Sequence, residues 1–273
     1  MRHPALKLLF VLLQVALIFS ARAATTVQAP PDIDHAPWSE LLKKYVDDRG
    51  MVDYAAWKGS PDDRRALERY LGAFARSGAP AASREAEIAA LINAYNAFTI
   101  QWILQNHPTP SIRETSDSWD GARWNIGGRK VSLDEIEHKN LRPLYGWKVH
   151  GTIVCAARSC PPLQREAFTA ENLDMLTARA FRAWLDREDL NHYEPGQDRV
   201  LVSAIFKWFK EDFTGDGALP KVLQRFGPEK YRDFLVAGEF EVEYLDYHWG
   251  LNDQGGLGED YKPGASALFK SIF

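Results

Sequence analysis

The sequence has only two cysteines, Cys155 and Cys160, among its 273 residues. It has no internal repeat and no low-complexity block, which argues against a solenoid or an array of small domains. It also lacks a run of basic residues, and its net charge of −4 does not favour binding to nucleic acid or anionic lipid. No motif indicates a cofactor. We therefore expect no nucleic-acid partner and no cofactor, and the substrate or protein partner stays unknown.

The longest apolar run lies near the N-terminus, from Leu8 to Phe19, after the basic residues Arg2 and Lys7. This run is shorter than the roughly 20 residues that span a bilayer, and Ala21-Arg22-Ala23 has the small-x-small pattern of a cleavage site. We expect residues 1–23 to be a cleaved signal peptide, with no stable membrane insertion afterwards. Cleavage removes three basic residues and no acidic ones, so the net charge falls from −4 to −7. The predicted location is periplasmic or secreted.

The composition predicts one folded domain in the remaining chain. Hydrophobic residues make up 45% of the sequence and aromatic residues 12%, enough for a packed core. We predict a flexible lead-in over 24–35, a single globular domain over 36–252 and a loose C-terminal tail over 253–273. The expected fold is α+β: one predominantly helical domain of six to eight helices with a small mixed or antiparallel sheet.

Local patterns predict the main elements. Ser83 is typical of an N-cap, and the apolar stripe after it predicts a buried helix that ends at Pro108. Gly127-Gly128 between two β-prone runs predicts a hairpin over 124–131. Ser132 to Glu135 forms a capping box whose helix should stop before Pro143. Further predictions are strands over 147–155, 199–202 and 240–245, and helices over 170–185, 204–213, 221–226 and 231–235.

The segment from His150 to Cys160 carries the strongest chemical pattern in the chain. Residues 147–155 alternate with the period of a strand, which directs Cys155 to the face opposite His150 and toward the core. Pro161 favours extended backbone at Cys160, so residues 156–162 should form a turn or loop. From this loop Cys160 can return to the face that carries His150.

The first interpretation of this segment is thiol catalysis. Cys160 would be the nucleophile and His150 the base that favours its thiolate, with Arg158 lowering the thiol pKa further. A third group would then orient the imidazole. The candidates for orienting or oxyanion roles are Asn93 and Asn96, and Glu137 or His248 are alternative orienting groups.

A disulfide and a metal site are the alternatives. Two cysteines in an exported chain favour a disulfide, and four intervening residues allow a small closed loop between Cys155 and Cys160. Such a bond would staple a non-catalytic binding or scaffold domain. A metal site would combine both cysteines with His150, and with His138 or His248, but its spacing is unlike the tighter ligand pairs of zinc sites. We predict no metal.

Several other polar residues also have structural interpretations. Asn93 and Asn96 on an apolar helix must be hydrogen-bonded, and holding loop backbone is the alternative to a catalytic role. His138 lies near the end of the helix that begins at Ser132, where a cation favours the helix dipole. Glu211-Asp212 lacks the alternating Asp pattern of a calcium loop and predicts a turn.

Five separated blocks of this sequence resemble the bacterial, plant and nematode domains of the DUF547 family (domain of unknown function 547). They stand in the family's order and span about 38–252. The blocks are LINAYNA at Leu91–Ala97; SLDEIEH at Ser132–His138 with Leu141–Pro143; His150 with CAARSCPPL at Cys155–Leu163; SAIFKW at Ser203–Trp208; and YHWGLN at Tyr247–Asn252.

The resemblance implies a site of Asn, His and Cys residues, with Ser159 among the further candidates, but no settled activity. A distant likeness to papain-like or transglutaminase-like thiol hydrolases is a conjecture, because those enzymes place the nucleophile before the histidine, whereas His150 here precedes Cys160. The last block also departs from the family's usual Tyr-Asp-Trp-Ser-Leu-Asn, since His248 and Gly250 replace the Asp and the Ser. A polar role of that Asp would fall to His248 or to Asp246.

Overall fold

A computed structural model describes residues 27–262 of the chain. The predicted signal peptide, residues 1–23, and the end of the predicted tail, residues 263–273, lie outside the described residues. Within 27–262, no helix combines the length and the apolar character needed to cross a membrane. The described residues form an α+β fold in which helices dominate, as predicted.

Nine α-helices form the described part of the chain, and eight of them surround a long central one. The central helix begins after Ser83, whose side chain accepts a hydrogen bond from the Ala86 amide at 3.1 Å, as predicted for an N-cap. It is buried on nearly every side from Ile88 to Leu104, so it forms the middle of the core rather than its surface. The helices are α1 (Ala36–Tyr45), α2 (Tyr54–Gly59), α3 (Pro61–Phe74), α4 (Arg84–Asn106), α5 (Arg142–Tyr145), α6 (Leu173–Leu185), α7 (Ile205–Trp208), α8 (Leu219–Phe226) and α9 (Arg232–Ala237).

Two small sheets accompany the helices. The predicted hairpin pairs β1 (Trp124–Ile126) with β2 (Arg129–Val131), and both turn glycines, Gly127 and Gly128, adopt the positive φ angles that such a turn requires. The other sheet is mixed. Its strands are β3 (His192–Glu194), β4 (Arg199–Val202) and β5 (Glu241–Tyr244), with β4 antiparallel to β3 and parallel to β5.

The strand predicted over 147–155 is wrong. Residues Gly146–Gly151 form a 3-10 helix, and residues 152–155 follow as irregular backbone. The side chain of Asn96 explains why no strand partner is needed. It donates to the Thr152 carbonyl at 2.9 Å and accepts from the Val154 amide at 2.8 Å, so one buried amide satisfies the polar backbone groups that a neighbouring strand would otherwise pair.

The helix predicted to start at Ser132 also differs from the structure. Ser132 does cap it, since its hydroxyl accepts from the Glu135 amide at 3.1 Å. The seven residues Glu135–Leu141 form a wider π-helix, which then tightens into α5. Pro143 therefore lies in the first turn of α5 instead of ending a helix, because a first-turn residue needs no amide hydrogen.

The buried apolar residues form two clusters. We call the larger one, which is built around α4 and includes α1 and α3, the main cluster. The smaller one packs α6 and α8 against the mixed sheet and is called the second cluster. Trp208 and Tyr247 pack against both clusters.

The described parts of both chain ends pack against the main cluster. In the predicted lead-in, the Val27 amide donates to Asn140 at 3.1 Å and the Ala29 amide donates to Glu87 at 2.9 Å. In the predicted tail, the Gln254 side chain donates to the Met51 carbonyl at 2.9 Å. Val27, Ala29 and Gln254 are therefore held by hydrogen bonds, whereas the lead-in and tail boundaries stay a prediction.

Candidate functional site

A pocket of about 110 Å³ opens where the two clusters meet. Its walls are largely aromatic, and its polar groups come from segments far apart in the sequence. The aromatic lining residues are Tyr95, Trp119, Trp208, Phe209, Tyr247 and Trp249. The polar and sulfur-containing lining residues are Asp120, Asp134, Glu137, His138, His150, Cys155 and Cys160.

Cys155 and Cys160 form a disulfide in the wall of this pocket, with their Cα atoms 6.4 Å apart. No cysteine in the described residues is free. The Tyr247 hydroxyl lies 3.3 Å from the sulfur of Cys155 and 3.1 Å from that of Cys160. The prediction that Cys155 faces away from His150 is wrong, because the expected strand is absent and both residues line the same pocket.

The loop that carries the disulfide is held by the last of the five sequence blocks. The Arg158 amide donates to the Gly250 carbonyl at 2.8 Å, and the Asn252 amide donates to the Ala156 carbonyl at 3.0 Å. Ala156 adopts a left-handed φ of 62°, which is uncommon for a residue other than glycine and persists only where surrounding contacts impose it. The Cys155–Leu163 and Tyr247–Asn252 blocks thus form one local structure.

His150 is oriented by Asp212. Its Nε2 lies 2.7 Å from a carboxylate oxygen of Asp212, and its ring stacks on Phe209 with centroids 4.0 Å apart. Burial lowers the pKa of His150 and outweighs the opposing effect of Asp212, so the imidazole is neutral at pH 7. Burial acts to raise the pKa of Asp212, but hydrogen bonds from His150 and Arg142 hold it well below its usual range.

The role of Asp212 was not predicted from the sequence. The pattern at Glu211-Asp212 predicts a turn, and other residues are the sequence candidates for the group that orients His150. Asp212 lies 62 residues after His150, on the chain that follows α7, and no local pattern links the two. The adjacent carboxylates of Glu211 and Asp212 are a weak sequence signal for a role. In the structure, Arg142 of the second sequence block forms ion pairs with both.

Glu137 projects into the pocket from the π-helix and is only 9% exposed. It accepts a hydrogen bond from the Tyr95 hydroxyl at 3.2 Å. Burial raises its pKa to about 7, because the charged form loses hydration and the opposing effects of Tyr95 and Arg142 are smaller. A carboxyl group that titrates near neutrality inside a pocket can exchange a proton or provide a negative charge.

His138 follows Glu137 and also lines the pocket. One ring nitrogen lies 3.0 Å from an Arg142 nitrogen, and the other lies 3.5 Å from an Asp134 carboxylate oxygen. Burial lowers its pKa below the ordinary value. His138 therefore belongs to the polar network at the pocket rather than acting only as a cation at a helix end.

Asn93 and Asn96 lie outside the pocket lining. Asn93 donates to the Phe168 carbonyl at 2.7 Å and accepts from the Phe168 amide at 3.0 Å, while Asn96 holds residues 152–154. Both amides thus hold loop backbone, which was the structural interpretation of their presence on an apolar helix. The geometry gives no support to a direct orienting or oxyanion role.

Arg158, Ser159 and His248 hold the rim of the disulfide loop. The Ser159 hydroxyl accepts from the His248 amide at 2.9 Å, and Arg158 lies 3.7 Å from Glu259. The His248 ring accepts from the Gly250 amide at 3.1 Å, and its other nitrogen lies 2.8 Å from the Glu259 carbonyl. None of these three residues lines the pocket. His248 therefore connects the last sequence block to Glu259.

The alternative metal site would need at least three ligands close together. Across residues 27–262, no group of three or more His, Cys, Asp or Glu side chains is arranged to hold a metal ion. The two sulfurs that such a site would use are bonded to each other.

Comparison with known proteins gives one match. Residues 80–185 match the family model described as "Protein of unknown function, DUF547". No curated protein and no solved structure matches the chain. The matched segment includes α4, the π-helix, the disulfide loop and α6, whereas Asp212 and Tyr247 lie beyond it. The match confirms the resemblance found in the sequence, over the segment that carries Glu137, His150 and both cysteines.

Proposed function

We propose that this protein is an exported ligand-binding domain whose pocket takes a small molecule and whose Cys155–Cys160 disulfide staples the pocket wall. The observation that carries the proposal is the convergence of side chains at one cavity. These side chains come from both apolar clusters, from the π-helix and from the last sequence block. A mostly apolar cavity with a few convergent polar groups is the usual form of a small-molecule site.

The disulfide supports both parts of the proposal. It closes a short loop in the pocket wall, so it limits the shapes that this loop can adopt. Disulfides persist in oxidising compartments, which agrees with the predicted signal peptide at residues 1–23. Expression of the full chain in a Gram-negative host, followed by fractionation, tests export. We expect periplasmic protein that gains two alkyl labels only after reduction, whereas cytoplasmic protein with two free thiols would contradict the proposal.

Ligand-observed NMR with a fragment library tests binding to the pocket. Tyr247→Phe and Glu137→Gln each change one pocket group at nearly constant shape, and Glu68→Gln is a matched control on an exposed face of α3. We expect fragments whose signals change in the two pocket variants but not in the control. Fragments that bind all four proteins equally would bind elsewhere, and that result would overturn the proposal.

A second candidate function is a thiol-dependent hydrolase or transferase that becomes active after reduction. It is favoured by one observation, that Cys160 and His150 line the same cavity while Asp212 orients the histidine, as a catalytic triad requires. A dithiol reductant would convert the disulfide to two thiols and itself become a disulfide. The Cys160 thiol would pass its proton to neutral His150 and attack an acyl carbon. The leaving group would then depart with that proton, and water or another acceptor would cleave the thioester to regenerate the thiol.

The rate of thiol alkylation after reduction tests this second candidate. Cys155→Ala leaves Cys160 as the only thiol, and Cys160→Ala is the matched control. If His150 activates Cys160, iodoacetamide should label Cys155→Ala protein at pH 7 at least tenfold faster than the control, and His150→Gln should remove the advantage. Equal and slow labelling of both proteins would exclude an activated thiolate at Cys160.

A further inference from the structure

We infer that the ligand of the pocket is a small organic cation, an ammonium compound, which binds between the aromatic walls with Glu137 as its counter-charge. This inference rests on the proposed binding function and names the chemical class of the ligand. Three features of the described residues carry it: the sign of the charge at the pocket, the aromatic lining and the lack of an ion partner for Glu137.

The charge at the pocket is negative. Three carboxyl groups line it, from Asp120, Asp134 and Glu137, and no Lys or Arg is among the described lining residues. The nearby guanidinium of Arg142 is already matched by two carboxylates. It lies 2.6 Å from Asp212 and 2.9 Å from Glu211.

The two lining histidines add little positive charge. Burial lowers the pKa of both His138 and His150, so both are neutral at pH 7. An anionic ligand would therefore meet uncompensated like charge, whereas a cation would meet opposite charge.

The walls have the chemistry that binds organic cations. Trp249 packs at right angles to Trp119, with centroids 6.1 Å apart, and lies 4.5 Å from Tyr247. The face of an aromatic ring is electron-rich and attracts ammonium and guanidinium groups. Two lining rings already bind cations of the protein itself, since Arg113 lies 4.9 Å from the Trp249 centroid and Arg142 lies 5.2 Å from that of Phe209.

Glu137 lacks a cation partner among the described residues. It accepts the Tyr95 hydrogen bond, but no Lys, Arg or His forms an ion pair with it, although about nine tenths of its surface is buried. An unpaired buried carboxylate is costly, and burial accordingly raises its pKa to about 7. A bound ammonium group would provide the missing charge inside the cavity.

The cavity size agrees with a compact head group. An apolar cavity of about 150 Å³ in another protein holds benzene, so about 110 Å³ suits a group of roughly five heavy atoms. A trimethylammonium group has this size. The remainder of a larger ligand would extend toward the opening, where Asp120 is exposed.

Isothermal titration calorimetry with choline chloride tests the inference. The neutral control is 3,3-dimethylbutan-1-ol, which has the same shape with carbon in place of the charged nitrogen. We expect choline to bind wild-type protein at least tenfold more tightly than the neutral analogue. Glu137→Gln should weaken choline at least tenfold and leave the analogue unchanged, whereas Glu68→Gln, on exposed α3 surface, should change neither.

A pH series gives an independent reading that does not depend on a pocket variant. Choline carries a fixed charge, so its affinity should rise as the pH increases through about 7 and Glu137 ionises. Arg142 stays charged over this range and Tyr95 and Tyr247 stay protonated, because the pKa values of all three are raised. The groups that face Glu137 are Tyr95, Asp134, Arg142, Asp212 and Tyr247.

The outcomes separate this inference from the proposed function. Equal affinity for choline and its neutral analogue would overturn the cationic ligand and leave a binding pocket. Fragments that bind without any response to choline would do the same, and the absence of any ligand would overturn both. Sedimentation with phosphatidylcholine vesicles distinguishes the source: binding to vesicles as well as choline indicates a lipid head group, and binding to choline alone indicates a soluble ammonium compound.

Discussion

The two apolar clusters of this protein differ in what they contribute to the pocket. The main cluster contains α4 and supplies Tyr95, Glu137 and the disulfide loop. The second cluster packs against the mixed sheet and supplies Phe209, which lines the pocket and stacks on His150. The family match at residues 80–185 covers most of the residues that the main cluster supplies to the pocket, and it ends before those that the second cluster supplies. The main cluster therefore provides the framework of the pocket, and the second cluster completes it.

The largest expected effect comes from the buried amides that hold each cluster. Asn96 binds the backbone of residues 152–154 beside the pocket, and Asn191 similarly binds Trp184 and Ser203 in the second cluster. Replacing either by alanine leaves two buried backbone groups without partners, so each should lose about 2–4 kcal/mol in urea unfolding.

The two amide variants should differ at the pocket. Asn96→Ala should also speed reduction of the Cys155–Cys160 disulfide by dithiothreitol, because residues 152–154 lead directly into it. Asn191→Ala is the matched control and should leave that rate unchanged. Equal acceleration in both variants would show that the clusters are not separable in this way.

The next largest effect concerns Glu137. Its pKa is raised from an ordinary value of 4.5 to about 7 in the folded protein, so the folded state binds this proton more tightly than the unfolded state. The resulting stability is present below pH 4.5 and is lost as the pH rises through about 7. The Glu137→Gln variant should therefore resist urea better than wild type at pH 8. Its free energy of unfolding should be higher by about 1–3 kcal/mol at pH 8 and little changed at pH 5. Equal gains at both pH values would contradict a buried ionisable carboxyl.

Reduction of the disulfide should have a similar but somewhat smaller effect. A loop of this length stabilises the folded state by about 2 kcal/mol through the entropy of the unfolded chain. For a domain of this size that corresponds to a fall in Tm of about 4–8 °C on adding reductant. The double variant Cys155→Ser, Cys160→Ser should melt near the reduced value and show no response to reductant. A response that persists in the double variant would assign the effect to something other than this bond.

The smallest effect is expected at the rim of the loop. Ser159→Ala removes the hydroxyl that accepts from the His248 amide at 2.9 Å, and should cost about 1 kcal/mol because water partly replaces the bond. Ser116→Ala is a control at an exposed position. Choline affinity should not change in either variant, since neither residue lines the pocket. A loss of binding in Ser159→Ala would mean that the rim also shapes the cavity.

The parts of the fold that could be predicted are those whose signals are local. Ser83 and the apolar stripe after it predicted α4, and Gly127-Gly128 predicted the β1–β2 hairpin, because capping and positive φ angles depend on a few neighbouring residues. The short strands β4 and β5 were also placed near their positions. Their parallel pairing was not predicted, since it depends on how the whole chain between them, up to residue 244, folds back.

The failures lie where a distant residue replaces a local partner. Residues 147–155 alternate like a strand, but the Asn96 side chain satisfies their backbone and leaves them irregular. The π-helix over Glu135–Leu141 brings Glu137 to the pocket, and nothing in the capping pattern at Ser132 distinguishes it from an α-helix. For the site, His150 and both cysteines were named from the sequence, whereas Asp212 and the aromatic walls were not.

The sequence by itself determined the resemblance to the DUF547 family, the helical character and the segment that holds the cysteines and His150, because these depend on residue type, spacing and local backbone preference. Only the tertiary structure decided that Cys155, His150 and Glu137 share one cavity, that Asp212 orients the histidine and that Asn93 and Asn96 hold backbone instead of lining the site. The hydrogen bonds of Asp212, Asn93 and Asn96 join residues that lie 56 to 75 positions apart. Packing of the two clusters brings these residues together, and no local sequence pattern predicts contacts between residues so far apart in the chain.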